Sequence, residues 1–218
     1  MRFCILIPTI NRKDLLMEAL GHYKHDYPNT QTIILDNGNQ GIQTPNTSHY
    51  IVHSLPDMGN LGVAGSWNYL IETAIEYYNY DYFLVLNDDI VLKCGEGAID
   101  ALIEKWGKNN FHIPRPFYNW SAFLMNRWIY EKVGGFDTNF KKCFFEDNDY
   151  AYRLKLAGVN IRYEDQLNAE IYRNSQTIQK DPLLGGYIEN KEYYIKKWGG
   201  IPEQETFKSP FNEQIQKG

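Results

Sequence analysis

Three groups of carboxylates stand where secondary-structure elements are expected to begin or end. The stretch Asp81–Val91 reads DYFLVLNDDIV, in which the apolar run Tyr82 to Leu86 has strand length and stops at Asn87, Asp88 and Asp89. Two adjacent carboxylates beyond the carboxyl end of a strand can hold a hard divalent cation while still meeting a phosphorylated ligand. Asp36 closes another apolar run, Thr32 to Leu35, and opens DNGNQG, where Gly38 and Gly41 let the backbone approach a ligand closely. Glu146 and Asp147 lie in FFEDNDYAYRLKLAG, at the positive end of a helix whose inward face is Tyr150, Leu154 and Ala157 and whose terminator is Gly158. Plainer readings stand beside these. Asn-Asp-Asp suits a turn at a strand end, and the second acidic cluster suits helix capping plus an Asp149–Arg153 pair four residues apart. A fold that brought the three groups together could bind a nucleoside diphosphate through the first two and offer a base from the third.

The elements that must position these groups follow from hydrophobic periodicity. Arg2 to Pro8 reads as a buried strand, and Asn11 as the cap of a helix with Leu15, Leu16, Ala19 and Leu20 on its apolar face. Tyr50 to Leu55 is a third strand. In GNLGVAGSWNYLIETA, Gly59, Gly62 and Gly65 fall three apart and Leu70, Ile71, Ala74, Ile75 and Tyr78 follow at helical spacing, so a glycine-lined helix start is expected to face the sheet. Its N–H groups could receive an anion, or the glycines permit close packing; the GxGxxG fingerprint is absent. Glu96 to Trp106 is a helix, followed by irregular chain through Pro114 and Pro116. Trp120 to Met125 reads as a strand, Trp128 to Val133 as a short helix, Ile161 to Tyr163 and Ala169 to Tyr172 as short strands, and a last helix lies near Glu189 to Trp198. Strands alternating with helices make this an α/β protein.

Composition narrows the function classes. The 218 residues suit one domain, and 43% hydrophobic residues with 15% aromatics argue against disorder. A formal net charge of −5 with scattered Lys and Arg makes nucleic acid a poor partner. An acidic protein handling a phosphorylated small molecule needs local compensation, which a metal at Asp88 and Asp89 would supply. The apolar runs fall well short of the roughly 20 residues a membrane span requires, and the N-terminal stretch lacks a signal-peptide pattern. Cys4, Cys94 and Cys143 are odd in number and far apart, which suggests neither a disulfide framework nor a cysteine zinc site and fits a reducing, cytoplasmic setting.

The segments IPTINRKDLL, IILDNGNQG, GNLGVAGSWNYLIETA, YFLVLNDDI, SAFLMNRWIYEKVGGFD and FFEDNDYAYRLKLAG occur in an order and spacing that resembles the family-two glycosyltransferases of GT-A fold, over roughly residues 1–175. The resemblance implies a single Rossmann-like mixed central sheet with helices on both faces. Residues 1–110 would form the nucleotide-sugar-binding half and residues 111–218 the acceptor and catalytic-base half, in a chain that can be one domain of a longer polypeptide. It implies an inverting transfer of a sugar from a nucleoside diphosphate sugar, UDP-linked, to a hydroxyl of a glycan or glycoprotein. Asn87-Asp88-Asp89 resembles the DxD motif, with Asp89 as direct ligand of Mn²⁺ or Mg²⁺ and Asp88 towards the ribose or the metal. Asp36 resembles the residue that reads the base, near Pro8, Thr9 and Asn11, while Asn60, Asn68 and Arg153 occupy donor-side motif positions. Asp147 resembles the catalytic base and Glu146 its neighbour. The abundance of Asn and Tyr is also similar to that of glycosyltransferases that large viruses use on their own capsids.

Two departures bear on these implications. Many relatives carry a metal-binding histidine after the base helix, where this chain has Tyr172, Arg173 and Asn174. Water can take that coordination position, or Arg173 can contact the diphosphate. Asn87 is also a weaker ligand than the Asp usual at the first place of the triplet. The competing readings are a nucleotide-sugar-binding module without turnover, which would have no use for Asp147, and a metal-dependent nucleotidyltransferase. The latter should show a basic, glycine-rich triphosphate loop near the N-terminus, and IPTINRKD is a poor one.

Overall fold

β1 (Phe3–Thr9) is the strand on which the sheet is built, and its composition says why. Phe3 to Ile7 are all buried, so both faces are covered, and a continuous apolar run is what such a strand requires. Successive side chains point to opposite faces. Phe3, Ile5 and Ile7 pack with α1 (Lys13–Asp26) and α3 (Gly95–Trp106), whereas Cys4 and Leu6 pack with α2 (Gly62–Glu76), α4 (Arg127–Val133) and α5 (Glu146–Leu156). The computed structural model describes residues 2–44, 48–115, 120–167, 169–171 and 186–213.

Beside β1 lie β2 (Thr32–Asp36) and β3 (Tyr50–Ser54) on one side, and β4 (Tyr82–Leu86), β7 (Ala122–Asn126), β6 (Asn110–Pro114) and β8 (Asn160–Glu164) on the other. The order is β3-β2-β1-β4-β7-β6-β8, parallel from β3 to β4, with β7 antiparallel to both of its neighbours. The chain leaves β1 through β2 and β3, then crosses back to β4. That crossing opens a crevice beyond the carboxyl ends of β1 and β4, the place where open α/β sheets receive ligands. A separate ribbon pairs β5 (Ile90–Leu92) with β9 (Ala169–Ile171) antiparallel, directly after the acidic triplet.

Most expected elements form, with instructive exceptions. β6 falls in chain read as irregular, because Asn110, His112 and Pro114 carry little strand signal. Pairing of β6 with β7 on one side and β8 on the other overrides that, and His112 Nδ1 meets Glu164 Oε1 at 2.9 Å across β6 and β8. Asn11 does not cap α1. It takes φ 56°, Arg12 occupies the cap position without a side-chain bond, and the Gln40 side chain accepts from Lys13 N–H at 2.9 Å instead. The glycine-lined start of α2 faces a loop rather than the sheet: a β-carbon at Gly62 would stand 3.0 Å from the Lys142 carbonyl oxygen. Close packing is therefore what Gly62 provides.

A further helix, α6 (Tyr187–Trp198), docks on α5 through Phe140, Phe145, Tyr152, Tyr194 and Trp198. At the centre of that contact Asp149, with 0% exposure, accepts from Arg153 Nε at 2.8 Å and Trp198 Nε1 at 2.8 Å and pairs with Lys197 Nζ at 2.6 Å. Lys197 also reaches Asp137 at 2.6 Å. Breaking a buried charge set by removing one member costs on the order of 3–5 kcal/mol. Lys197→Met should therefore lower the unfolding free energy in urea by about 3 kcal/mol. A loss under about 0.5 kcal/mol would show that this network does not hold α6 in place.

Candidate active site

At the end of β4 the acidic triplet meets the end of β1. Thr9 Oγ1 donates to Asp88 Oδ2 at 2.6 Å, so the crevice is closed by a hydroxyl–carboxylate bond between the two strands. Burial pushes the Asp88 carboxyl up to about 7, and neighbouring Asp89 pushes the same way, while the Thr9 hydroxyl and Arg12 pull it down. Arg12 was not singled out by its sequence position. It is 3% exposed, forks onto Asp14 through Nε and Nη2 at 3.0 and 3.1 Å, and leaves Nη1 without a partner. Arg12 feels the charges of Asp88 and Asp89 as well as that of Asp14. A buried Arg in a strand-to-helix turn was the signal that could have found it.

The second half of the site is the start of α5. Lys142, Phe144 and Phe145 all take left-handed φ, at 62°, 81° and 70°. Such conformations of residues other than glycine cost on the order of 1–3 kcal/mol each and persist where the surroundings enforce them. They turn the chain so that Glu146 and Asp147 open α5 at the wall of a cavity of about 510 Å³. The same cavity is lined by Asn87 and Ser121 from the β4 side, by the aromatic residues Trp67, Trp120 and Tyr187, and by Lys191. Glu146 is 6% exposed, its Oε2 has no partner, and burial, then Asp147, pushes its carboxyl up to about 8. Burial also raises Asp147, against the pull of the Asn148 N–H, which its Oδ1 accepts at 2.8 Å.

The remaining sequence-read residues divide sharply. Pro8 and Thr9 pair with Leu35 and Asp36, so the ends of β1 and β2 lie side by side. Asp36 is 1% exposed, and its carboxylate accepts from Gln40 N–H at 2.9 Å, Gln40 Nε2 at 3.3 Å and Ile42 N–H at 3.4 Å. That holds the loop after β2. Asn60 is committed to the start of α2: its Oδ1 accepts from Gly62 N–H and from Asn37 Nδ2, both at 2.8 Å. With Leu61 N–H given to Asn37 and Val63 N–H to the Lys142 carbonyl, the N–H groups of Leu61, Gly62 and Val63 at the start of α2 are taken by protein groups. Asn68 ties α2 to Phe136, donating to its carbonyl at 2.8 Å and accepting from its N–H at 2.7 Å. Arg153 braces α5, donating to Asp149 and to the carbonyls of Val133 and Gly135 at 2.8, 3.0 and 2.9 Å. The side chains of Asn60, Asn68 and Arg153 are thus bonded to neighbouring backbone, carboxamide and carboxylate groups. Arg173 lies outside the described residues.

A divalent cation fits Asp88 and Asp89 by donor chemistry, since hard carboxylate oxygens suit Mg²⁺ or Mn²⁺ and the charge of Asp88 is poorly compensated by protein groups. No cluster of three or more His, Cys, Asp and Glu suited to a metal occurs among the described residues.

No family model matches the chain, and no curated protein matches it by sequence. Solved structures do match. A mannosyltransferase from Pyrobaculum calidifontis, solved with GDP-Man and Mn²⁺, superposes with TM-score 0.60 at 12% identity over 80% of this chain and 58% of its own. GalNAc-T7 with UDP, GalNAc and Mn²⁺ gives TM-score 0.69 at 12% identity over 91% of this chain and 48% of its own. A Drosophila β1,4-galactosyltransferase 7 mutant with manganese, UDP-Gal and xylobiose gives 0.58 at 14% identity over 97% and 83%. The chain spans about half the length of the first two. At these identities the likeness is one of fold, and the fold, a single mixed sheet with helices on both faces, is GT-A.

Proposed function

We propose that the chain is a metal-dependent inverting glycosyltransferase that moves a sugar from a nucleoside diphosphate sugar, UDP-linked, to a hydroxyl of a glycan or glycoprotein. One observation carries the reading: Asn87, at the head of the acidic triplet, and Asp147, at the start of α5, line a single cavity. Glycosyl transfer with inversion needs charge compensation and a base on opposite sides of the anomeric carbon, and the reading gives the first task to the acidic triplet and the second to Asp147. The solved structures with nucleotide sugars and Mn²⁺ on the same fold support it by analogy of fold.

In this mechanism the diphosphate rests against the crevice between β1 and β4, and a cation held by Asp88 and Asp89 would offset its charge as it leaves. Asp147 takes the acceptor's hydroxyl proton while that oxygen bonds to the anomeric carbon and the bond to the diphosphate breaks. Its raised pKa makes it a stronger base than an exposed carboxylate. Asp36 serves the base end through the loop it holds, with Gln40 Nε2 on the acceptor that a nucleobase N–H would take. Trp67, Trp120 and Tyr187 give the cavity aromatic surfaces, and Asn87, Ser121 and Asp147 give it polar edges, a pairing suited to the apolar faces and hydroxyl rims of sugar rings. Residues 1–110 then serve the donor and residues 111–218 the acceptor and the base. The division is one of task only, because β7 and β6 continue the sheet from β4.

Three measurements test this. UDP should bind more tightly with Mn²⁺ than with chelator, and Asp89→Ala should abolish the difference; equal calorimetric affinities in the parent chain would reject the cation site. Asp147→Asn keeps the shape but cannot take a proton, so turnover should fall by roughly 10²–10⁴-fold with UDP affinity unchanged. Near-normal transfer would remove Asp147 from the role of base. Glu146, pushed up to about 8, keeps a proton in the folded chain that the unfolded chain loses at the ordinary value of about 4.3, so the wild type is destabilised as pH rises across that window. Glu146→Gln removes this titration. Its gain in Tm over the wild type should grow from about pH 5 to about pH 8, and a gain independent of pH would show Glu146 ionised in the fold.

A further inference from the structure

The start of α5 is held by a residue remote in sequence. Asn190, on α6, is 2% exposed and spends its whole carboxamide on the loop that precedes Glu146. Its Oδ1 accepts from Lys141 N–H at 3.0 Å. Its Nδ2 is shared among three carbonyls, Lys141 at 2.9 Å, Cys143 at 2.8 Å and Phe144 at 2.9 Å. A carboxamide alone among short side chains offers both an acceptor and two donors; aspartate would place a charge against three carbonyl oxygens. The clamp also requires close approach of backbone, since a β-carbon at Gly186 would stand 2.7 Å from the Lys141 carbonyl oxygen. From the opposite side Val63 N–H donates to the Lys142 carbonyl at 2.7 Å. The loop is thus gripped between the start of α2 and the start of α6, and it is the segment that carries the left-handed Lys142, Phe144 and Phe145. Those conformations do not persist in an unsupported chain.

We infer that Asn190 is a positioning residue for catalysis: its bonds to Lys141, Cys143 and Phe144 enforce the turn that presents Asp147 to the cavity. The inference rests on the reading of Asp147 as base, but the clamp has consequences that do not. Released from Asn190, the loop relaxes towards ordinary backbone conformations, Glu146 gains access to water, and Asp147 leaves the line of attack. A displacement of about 1 Å is enough to cost on the order of 10²-fold in rate.

The test uses the full chain and Asn190→Ala, with Asn190→Ser as the second variant should the first not fold. Hydrogen exchange should show protection of residues 141–148 falling at least about 10-fold while peptides of β1 and β4 keep theirs. The part of the pH dependence of stability that the buried Glu146 contributes should flatten. Turnover, read as UDP or GDP release from a panel of UDP-galactose, UDP-glucose, UDP-GlcNAc and GDP-mannose, should fall about 10²-fold with UDP affinity in Mn²⁺ within about twofold of the parent. Exchange and pH profile like those of the parent would overturn the inference. So would protection lost across the whole sheet together with UDP affinity, the mark of a merely structural residue. If Asp147→Asn retains turnover, the base reading fails by itself, and exchange with the pH profile decides the clamp.

Discussion

The arrangement of the candidate site depends on one buried carboxylate. Asp149 is surrounded by protein, and a charge in that position is tolerated only when its oxygens are fully engaged. Its donors come from two helices: Arg153 from α5 itself, Lys197 and Trp198 from α6. Because Arg153 also donates to the carbonyls of Val133 and Gly135, satisfying Asp149 fixes α5 against the turn after α4 and against α6 at once. Glu146 and Asp147 are carried on the first turn of that helix. Their position on the cavity that Asn87 also lines is therefore set by charge satisfied two turns and less along the helix, outside the cavity.

The site itself is built from groups that burial disfavours. Asp88 is lifted to about 7 and Glu146 to about 8, in both cases chiefly by desolvation, and the approach to α5 runs through three left-handed residues. Each lowers the stability of the ligand-free fold, and together they mark the region where function rather than packing governs the choice of residue. The offset lies in the central sheet and its two apolar layers. Phe111, Trp120, Phe123, Phe136 and Tyr150 stack or meet edge to face behind the cavity, with Phe136 and Tyr150 centroids 4.0 Å apart. That wall is continuous with the cavity lining at Trp67 and Trp120. Rigidity at the back is what allows unfavourable groups to be held at the front.

Periodicity made the central strands and the helix faces legible, because a buried strand such as FCILI has few other uses for its side chains. It failed at β6, whose Asn110, His112 and Pro114 become a strand only through partners distant in sequence. The three acidic groups were legible as well, since carboxylates at element ends announce themselves by type and place. Motif position was a poorer guide to what a polar side chain touches. Asn60, Asn68 and Arg153 share motifs with the acids, yet each is bound to nearby backbone or carboxylate. Spacing along a chain cannot show which carbonyl will lie within 3 Å. For the same reason Asn190 escaped notice: it is one polar residue on an amphipathic helix, and its meaning lies in a loop 46 to 49 positions away.

Arg12 completes the electrostatic argument. One guanidinium, already forked onto Asp14, feels the charges of two acids at the end of β4. A diphosphate alone would be repelled there, and a divalent cation alone would be attracted but left with open coordination positions. On the proposed reading the two together would balance, a cation held by Asp88 and Asp89 offsetting the diphosphate, with the unpartnered Nη1 of Arg12 as a further donor. A crevice with those acids would favour the metal–diphosphate pair over either component. That preference would also order the chemistry, because the leaving group would be stabilised only where the donor had brought a cation to the carboxylates.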